Sequence, residues 1–157
     1  MTELPRSEIE PILDLFSKTQ FKDALNKISL IKNLYPNQPL LLNISGACHA
    51  GLGNLNEAVK FYEDAIAIKP NYAKAHYNLA GALHEMNQLA DAVSSYQNSI
   101  SIDSGFAEAH NNLGNLYREQ SLFDQSIKSY KKALEINPKY IEAKYSLAIT
   151  LQHLGDF

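Results

Sequence analysis

Apolar residues recur at helical spacing along almost the whole chain. Ala75, Leu79, Ala82, Leu83 and Met86 mark one stripe. Asn87 interrupts it, and Leu89, Ala92, Val93, Tyr96 and Ile100 mark a second. Steps of three and four residues put such positions on one face of a helix. The whole pattern then returns. Residues 107–140, AEAHNNLGNLYREQSLFDQSIKSYKKALEINPKY, overlie 73–106 after a shift of 34, and 39–72 after a second shift. A third shift reaches a fainter copy at 5–38, and one step forward gives half a copy at 141–157. A fixed period of this length is the mark of a stacked repeat array. The pattern predicts helices over 7–17, 21–34, 40–52, 55–68, 73–86, 89–102, 107–120, 123–136 and 141–154.

Read down the copies, the columns describe a turn and a seam. Gly53, Asn87 and Gly155 stand between the two helices, where a left-handed residue closes the first. Ser121 and Thr19 share that column and fit it less well. Asp23, Glu57 and Asp91 follow in the first turn of the second helix, where a carboxylate meets the positive end of the helix dipole. Pro36, Pro70 and Pro138 end the second helix, and Gly105 supplies the turn where Ser104 replaces proline. Gly46, Ala80, Gly114 and Ala148 keep one spot on the first helix small. Ala24, Ala58, Ala92 and Ser126 do so on the second. Tyr62, Tyr96 and Tyr130 supply the bulk opposite, so that paired helices approach closely and still fill the space between them.

These columns resemble those of the tetratricopeptide repeat family. The matching residues are Leu113-Gly114, Tyr117, Tyr130, Ala133 and Pro138 in the fourth copy, and Gly46, Ala58, Tyr62, Ala65 and Pro70 in the second. The repeats look like those of bacterial members and of O-linked N-acetylglucosamine transferases. Ser104, Ser99, Ser126, Ile12 and Ile28 depart from the pattern, and the first copy reads as a cap or a drifted repeat. The resemblance implies an all-α fold, a right-handed α-α superhelix of helix-turn-helix repeats in one solenoid over 1–157. The last copy stops where its second helix should start, so the chain reads as cut from a longer protein, with Phe157 in the column of Phe21 and Phe123. Ile149, Leu151 and Leu154 would then form an uncovered strip, a C-terminal edge suited to self-association.

Composition narrows the partners. With 14 Lys+Arg against 17 Asp+Glu the net charge is −3, and no basic stripe offers itself to nucleic acid or an anionic membrane. The single Cys48 cannot form an intrachain disulfide or a multi-cysteine metal site. There is no secretory signal and no apolar run of spanning length, which leads to a cytoplasmic expectation. No catalytic constellation, cofactor motif or metal spacing stands out. His76 and His110 share a packing column and lack a histidine four residues away. Lys128, Lys131, Lys132 and Glu135 read as the solvated outer wall of a second helix.

The informative polar residues are on the first helices, which in the resembled family line the concave surface. Asn78 and Asn112 share one column, with Asn43, Asn111 and Asn115 nearby and Tyr77 and Tyr145 beside them. A primary amide can bond both N–H and C=O of an extended peptide. The pair looks like the asparagine ladder of the transferase repeats, although Ile44 and Ser146 shorten it. Such amides can instead be solvated or bond their own helix. The carboxylate clamp of chaperone-binding members needs converging cations. Here Lys74 and Arg118 are outnumbered by Glu85, Glu108, Glu119 and Glu142. The resemblance implies a non-catalytic scaffold holding a protein or extended peptide in its groove. Two alternatives are the N-terminal repeat arm of a glycosyltransferase or sulfotransferase-like enzyme whose catalytic domain lies beyond Phe157, and a structural assembly module.

Overall fold

The computed structural model describes residues 4–155. Phe157 lies outside the described residues. Among the described residues there are nine α-helices: α1 Arg6–Ser17, α2 Phe21–Ile31, α3 Pro39–Gly51, α4 Leu55–Ile68, α5 Ala73–Glu85, α6 Leu89–Ile102, α7 Ala107–Glu119, α8 Phe123–Ile136 and α9 Ile141–Leu154. No strand occurs among them. The ends match the periodic pattern to within one residue, except that α2 stops three residues early. There the chain leaves the helix through a turn in which the Leu34 and Tyr35 amides donate to Ile31 O, and Asn37 takes φ +61°.

Helices α1, α3, α5 and α7 each pack antiparallel on the next, and each even-numbered helix then packs on the first helix that follows it. No single centre exists. One buried cluster joins Ile12, Ala24, Ile28, Ile31, Leu41, Ile44 and Cys48. Another runs from Ala58 through Tyr62, Leu79 and Tyr96 to Leu116. Each pair's apolar face is covered by its neighbour, as a stacked superhelix requires.

The turn inside each pair is one motif used repeatedly. Gly53, Asn87, Thr19 and Ser121 all take φ between +58° and +78°, and Gly155 takes +73°. The amide after each of the first four reaches back five residues: Gln20 to Leu15, Asn54 to His49, Gln88 to Leu83 and Leu122 to Tyr117. This six-to-one bond satisfies a carbonyl that the helix end leaves open. Ser121 and Thr19 therefore adopt the same left-handed geometry as the glycines, despite carrying side chains that disfavour it.

The seam inside each pair is set by volume. A Cβ added at Gly114 would lie 2.6 Å from Tyr130 Cε1, and one at Gly46 2.6 Å from Tyr62 Cε1. Tyr130 and Tyr62 are buried, so neither ring has room to retreat. Ser99, standing where other copies have alanine, donates to Ala73 O at 2.9 Å. Ser126 is buried and its Oγ has no partner, a polar atom left unsatisfied in the seam.

Candidate functional site

The first helices leave one face partly open, and its side chains repeat from copy to copy. On α5 this face carries Lys74, Tyr77, Asn78, Gly81 and Glu85, and on α7 Glu108, Asn112, Asn115 and Glu119. On α9 it carries Glu142, Tyr145 and Ser146, with Tyr145 68% exposed.

The asparagines are not simply solvated on this face. Asn78 Nδ2 donates to Asn43 Oδ1 at 3.0 Å, which ties α5 to α3. Asn112 Nδ2 donates to the Tyr77 hydroxyl at 3.0 Å, which ties α7 to α5. Both links join residues 35 apart in sequence. The register is one more than the repeat, because a first helix reaches its predecessor one place back along the column. The alternative that these amides are only solvated or bond their own helix therefore does not hold: each spends a donor on the preceding copy.

The remaining hydrogen-bonding capacity is specific. Each amide nitrogen has two hydrogens: Asn78 retains one beyond its link to Asn43, whereas the Asn112 side chain hydrogen-bonds Tyr96 as well as Tyr77. Asn112 Oδ1 accepts from Asn111 Nδ2 at 3.3 Å. Asn111 is only 4% exposed, and its Oδ1 is buried without a partner. By the 35-residue register its counterpart is Ser146 on α9, and no bond joins the two. Asn43, at 7% exposed, also lies deeper than its polar character indicates. Asn115 Oδ1 accepts from the Tyr130 hydroxyl at 2.8 Å, so this amide belongs partly to the seam of its own pair.

Aromatic rings form the floor near the first turns. The Tyr77 ring stacks on Phe106, with centroids 4.7 Å apart, and meets Tyr96 edge-on at 5.7 Å. Lys74 Nζ lies 4.5 Å from the Tyr77 centroid and 5.2 Å from that of Phe106. Burial raises the Tyr77 phenol above its usual range, and Glu108 adds to the shift while the Asn112 hydrogen bond opposes it. Burial also raises Tyr140, with further contributions from Tyr77, Glu108 and Glu142. Tyr96 is pushed up to about 12, chiefly by burial. At the other end of the face, His84 Nε2 and Glu119 Oε2 lie 2.7 Å apart and bridge α5 and α7, again across 35 residues.

Other residues singled out in the sequence take structural positions. The ring nitrogens Nε2 of His76 and His110 contact Pro70 O at 3.0 Å and Ser104 O at 3.2 Å, pinning equivalent turns between copies. Burial lowers the His110 pKa, as expected for a packed neutral ring. Cys48 is fully buried and burial pushes its thiol up to about 11, which leaves it unreactive. A cleft of about 850 Å³ lies on a different face of α7, against α8, with Leu113 and Ile127 in its walls and Lys128, Lys131 and Lys132 at its rim. Among the described residues no cluster of three or more His, Cys, Asp or Glu could hold a metal ion. Among the same residues no helix is long and apolar enough to cross a membrane.

Comparison with known proteins places this architecture. The tetratricopeptide repeat model matches residues 107–140, and a second model of the same repeat matches 50–87 and 81–121. The peroxisomal targeting signal receptor of Kluyveromyces lactis is 31% identical over 81 residues, 49% of this chain. That match covers 14% of the receptor, so the chain corresponds to a small part of this relative. The crystal structure of MamA superposes with a TM-score of 0.82 at 21% identity, covering 99% of this chain and 88% of that one. The first tetratricopeptide domain of Spaghetti (RPAP3), bound to the HSP90 peptide SRMEEVD, superposes at 0.72 with 22% identity over 74% of this chain and 93% of that one. The chain belongs to the tetratricopeptide repeat family, an all-α superhelical scaffold for protein–protein interaction.

Proposed function

We propose that this solenoid binds an extended peptide segment of a partner protein along the open face of its first helices, without catalysing a reaction on it. The observation that carries the reading is the row of amides on α5 and α7. Asn78 keeps one N–H beyond its link to Asn43, Asn112 is held by Tyr77 and Tyr96, and Asn111 Oδ1 has no partner among the described residues. Amides of this kind read the backbone of a peptide rather than one side chain. The links to Asn43 and Tyr77 hold the two amides in place before a ligand arrives, which lowers the ordering cost of binding. The repeat domain of RPAP3 has been seen with a peptide bound, which supports a peptide as the kind of ligand.

The test is a titration of a peptide selected from a synthetic library against the wild-type chain and against Asn78→Ala and Asn112→Ala. Each substitution should weaken binding by about 0.5–1.5 kcal/mol, the net worth of a neutral hydrogen bond. The loss should be similar for peptides of different sequence. Unchanged affinity in the double variant would remove the amides from the site.

A further inference from the structure

The cleft of about 850 Å³ between α7 and α8 takes no part in the open face. Its volume is of the size that accepts a ligand. The floor is apolar: Leu113 is buried and Ile127 half-buried, with the Tyr117 ring beside them. That floor is also held in place. The Tyr117 hydroxyl accepts from Gln97 Nε2 of α6 at 3.0 Å, and His110 Nε2 contacts Ser104 O at 3.2 Å. The α8 wall runs from Asp124 to Glu135, about 16 Å of helix.

The charge on this wall departs from the repeat. Lys131 and Lys132 follow Lys128 by three and four residues, which puts all three on one side of α8, and all are exposed. The same columns hold Ser94, Gln97 and Asn98 on α6, and Lys60, Glu63 and Asp64 on α4. Lys132 is paired with Glu135 at 2.8 Å. Lys128 and Lys131 have no ion pair among the described residues. Asp124 stands in the first turn of α8, where the positive end of the helix dipole meets it. Uncompensated ammonium groups therefore overhang a preformed apolar floor.

We infer that this cleft docks an acidic, apolar segment of a partner protein. Apolar side chains of the segment enter over Leu113 and Ile127, and its carboxylates meet Lys128 and Lys131. Charge selects the occupant: a basic segment would be repelled by the lysines, and a neutral one would leave them without counter-charge. A nucleic-acid strand also carries negative charge, but Asp124 and Glu135 stand at the two ends of the wall against a continuous row of phosphates. The surface lies off the open face, so the inference goes beyond the groove reading and does not depend on it.

Synthetic helical peptides of twelve residues, about the length of the α8 wall, test it. They carry leucine along one face and glutamate, glutamine or lysine beside it. Each is titrated by calorimetry into the wild-type chain, Lys128→Gln/Lys131→Gln and Asn78→Ala/Asn112→Ala, all checked by circular dichroism for an intact fold. A twelve-nucleotide oligothymidylate serves as the phosphate probe. The glutamate peptide is expected to bind tightest. The lysine variant should weaken it about threefold to tenfold, the scale of two exposed ion pairs. The asparagine variant should bind it as the wild type does. Equal binding of the glutamate and glutamine peptides, or an unchanged affinity in the lysine variant, overturns the inference. So does a loss confined to the asparagine variant, which would seat the peptide in the groove instead. Oligothymidylate that binds more tightly than the glutamate peptide, and depends on the same lysines, would give the cleft to nucleic acid. A glutamate peptide that does not bind at millimolar concentration removes the site and leaves the groove reading untouched.

Discussion

The pairs α1–α2 and α7–α8 fill the same seam with different shapes. In α7–α8 the smallest residue faces one of the largest: Gly114 lies against Tyr130. In α1–α2 the equivalent columns hold Ile12 and Ile28, two residues of middle size, both buried in one cluster. The helices still pack. What recurs down the array is therefore the summed volume across the seam rather than the identity of either residue, and close packing is sensitive to that sum. The departures that made the first copy look drifted are a second solution to the same geometric problem. A second difference is chemical. Ala24 closes the α1–α2 seam without a polar atom, whereas Ser126 in the same column buries a hydroxyl that finds no partner.

The comparison can be broken at its largest point by Tyr130→Ala. The ring is fully buried and its hydroxyl bonds Asn115, so its removal leaves both a cavity and an unpaired amide. Chemical denaturation should show a loss of about 3–5 kcal/mol. Gly114→Ala comes next. Its methyl collides with a ring that cannot retreat, which costs about 1–3 kcal/mol, against roughly 1 kcal/mol recovered from helix propensity. A net loss in melting temperature is expected here, although Ala80 is accepted opposite Tyr96 in the neighbouring copy.

The volume rule is sharpened by exchanging solutions. Ile28→Tyr alone should overpack the α1–α2 seam, and adding Ile12→Gly should recover part of the loss. The coupling between them should be of order 0.5–3 kcal/mol in a double-mutant cycle. Strict additivity would mean that the two residues do not share one space. The smallest effect is Ser126→Ala, which removes the unsatisfied hydroxyl. It should raise stability by about 1 kcal/mol, within the desolvation cost of an unpaired polar group. Ser99→Ala should bring no such gain, because the Ser99 hydroxyl is already bonded to Ala73 O.

Much of this was legible before any coordinates. Periodicity located every helix, because each turn of apolar residues must face a neighbour. Gly53 and Asn87 announced the turn because they tolerate positive φ. Thr19 and Ser121 did not, since nothing in their own chemistry favours a geometry imposed by the packing on either side. The asparagines and tyrosines proposed for the groove were recognisable as recurring first-helix positions, but their depth was not. Asn43 and Asn111 look like surface residues in a sequence, and only the stacking of copies covers them. The cross-links escaped for a geometric reason. Columns are compared at a spacing of 34, while Asn78, Asn112 and His84 each bond across 35. A contact that steps one place sideways between copies is invisible to an alignment of the copies.

The central claim is that the open face of α5, α7 and α9 is where a peptide binds. Its most direct test is a nitrogen–proton correlation spectrum of the labelled chain, recorded while a library-selected peptide is added. The account predicts that the side-chain amide signals of Asn78, Asn111 and Asn112 move together with backbone signals of Lys74, Glu108 and Glu142, while signals on the exposed face of α4, α6 and α8 stay in place. Movement confined to Lys128, Lys131, Lys132 and their neighbours on α8 would put the peptide on the outer wall and contradict it.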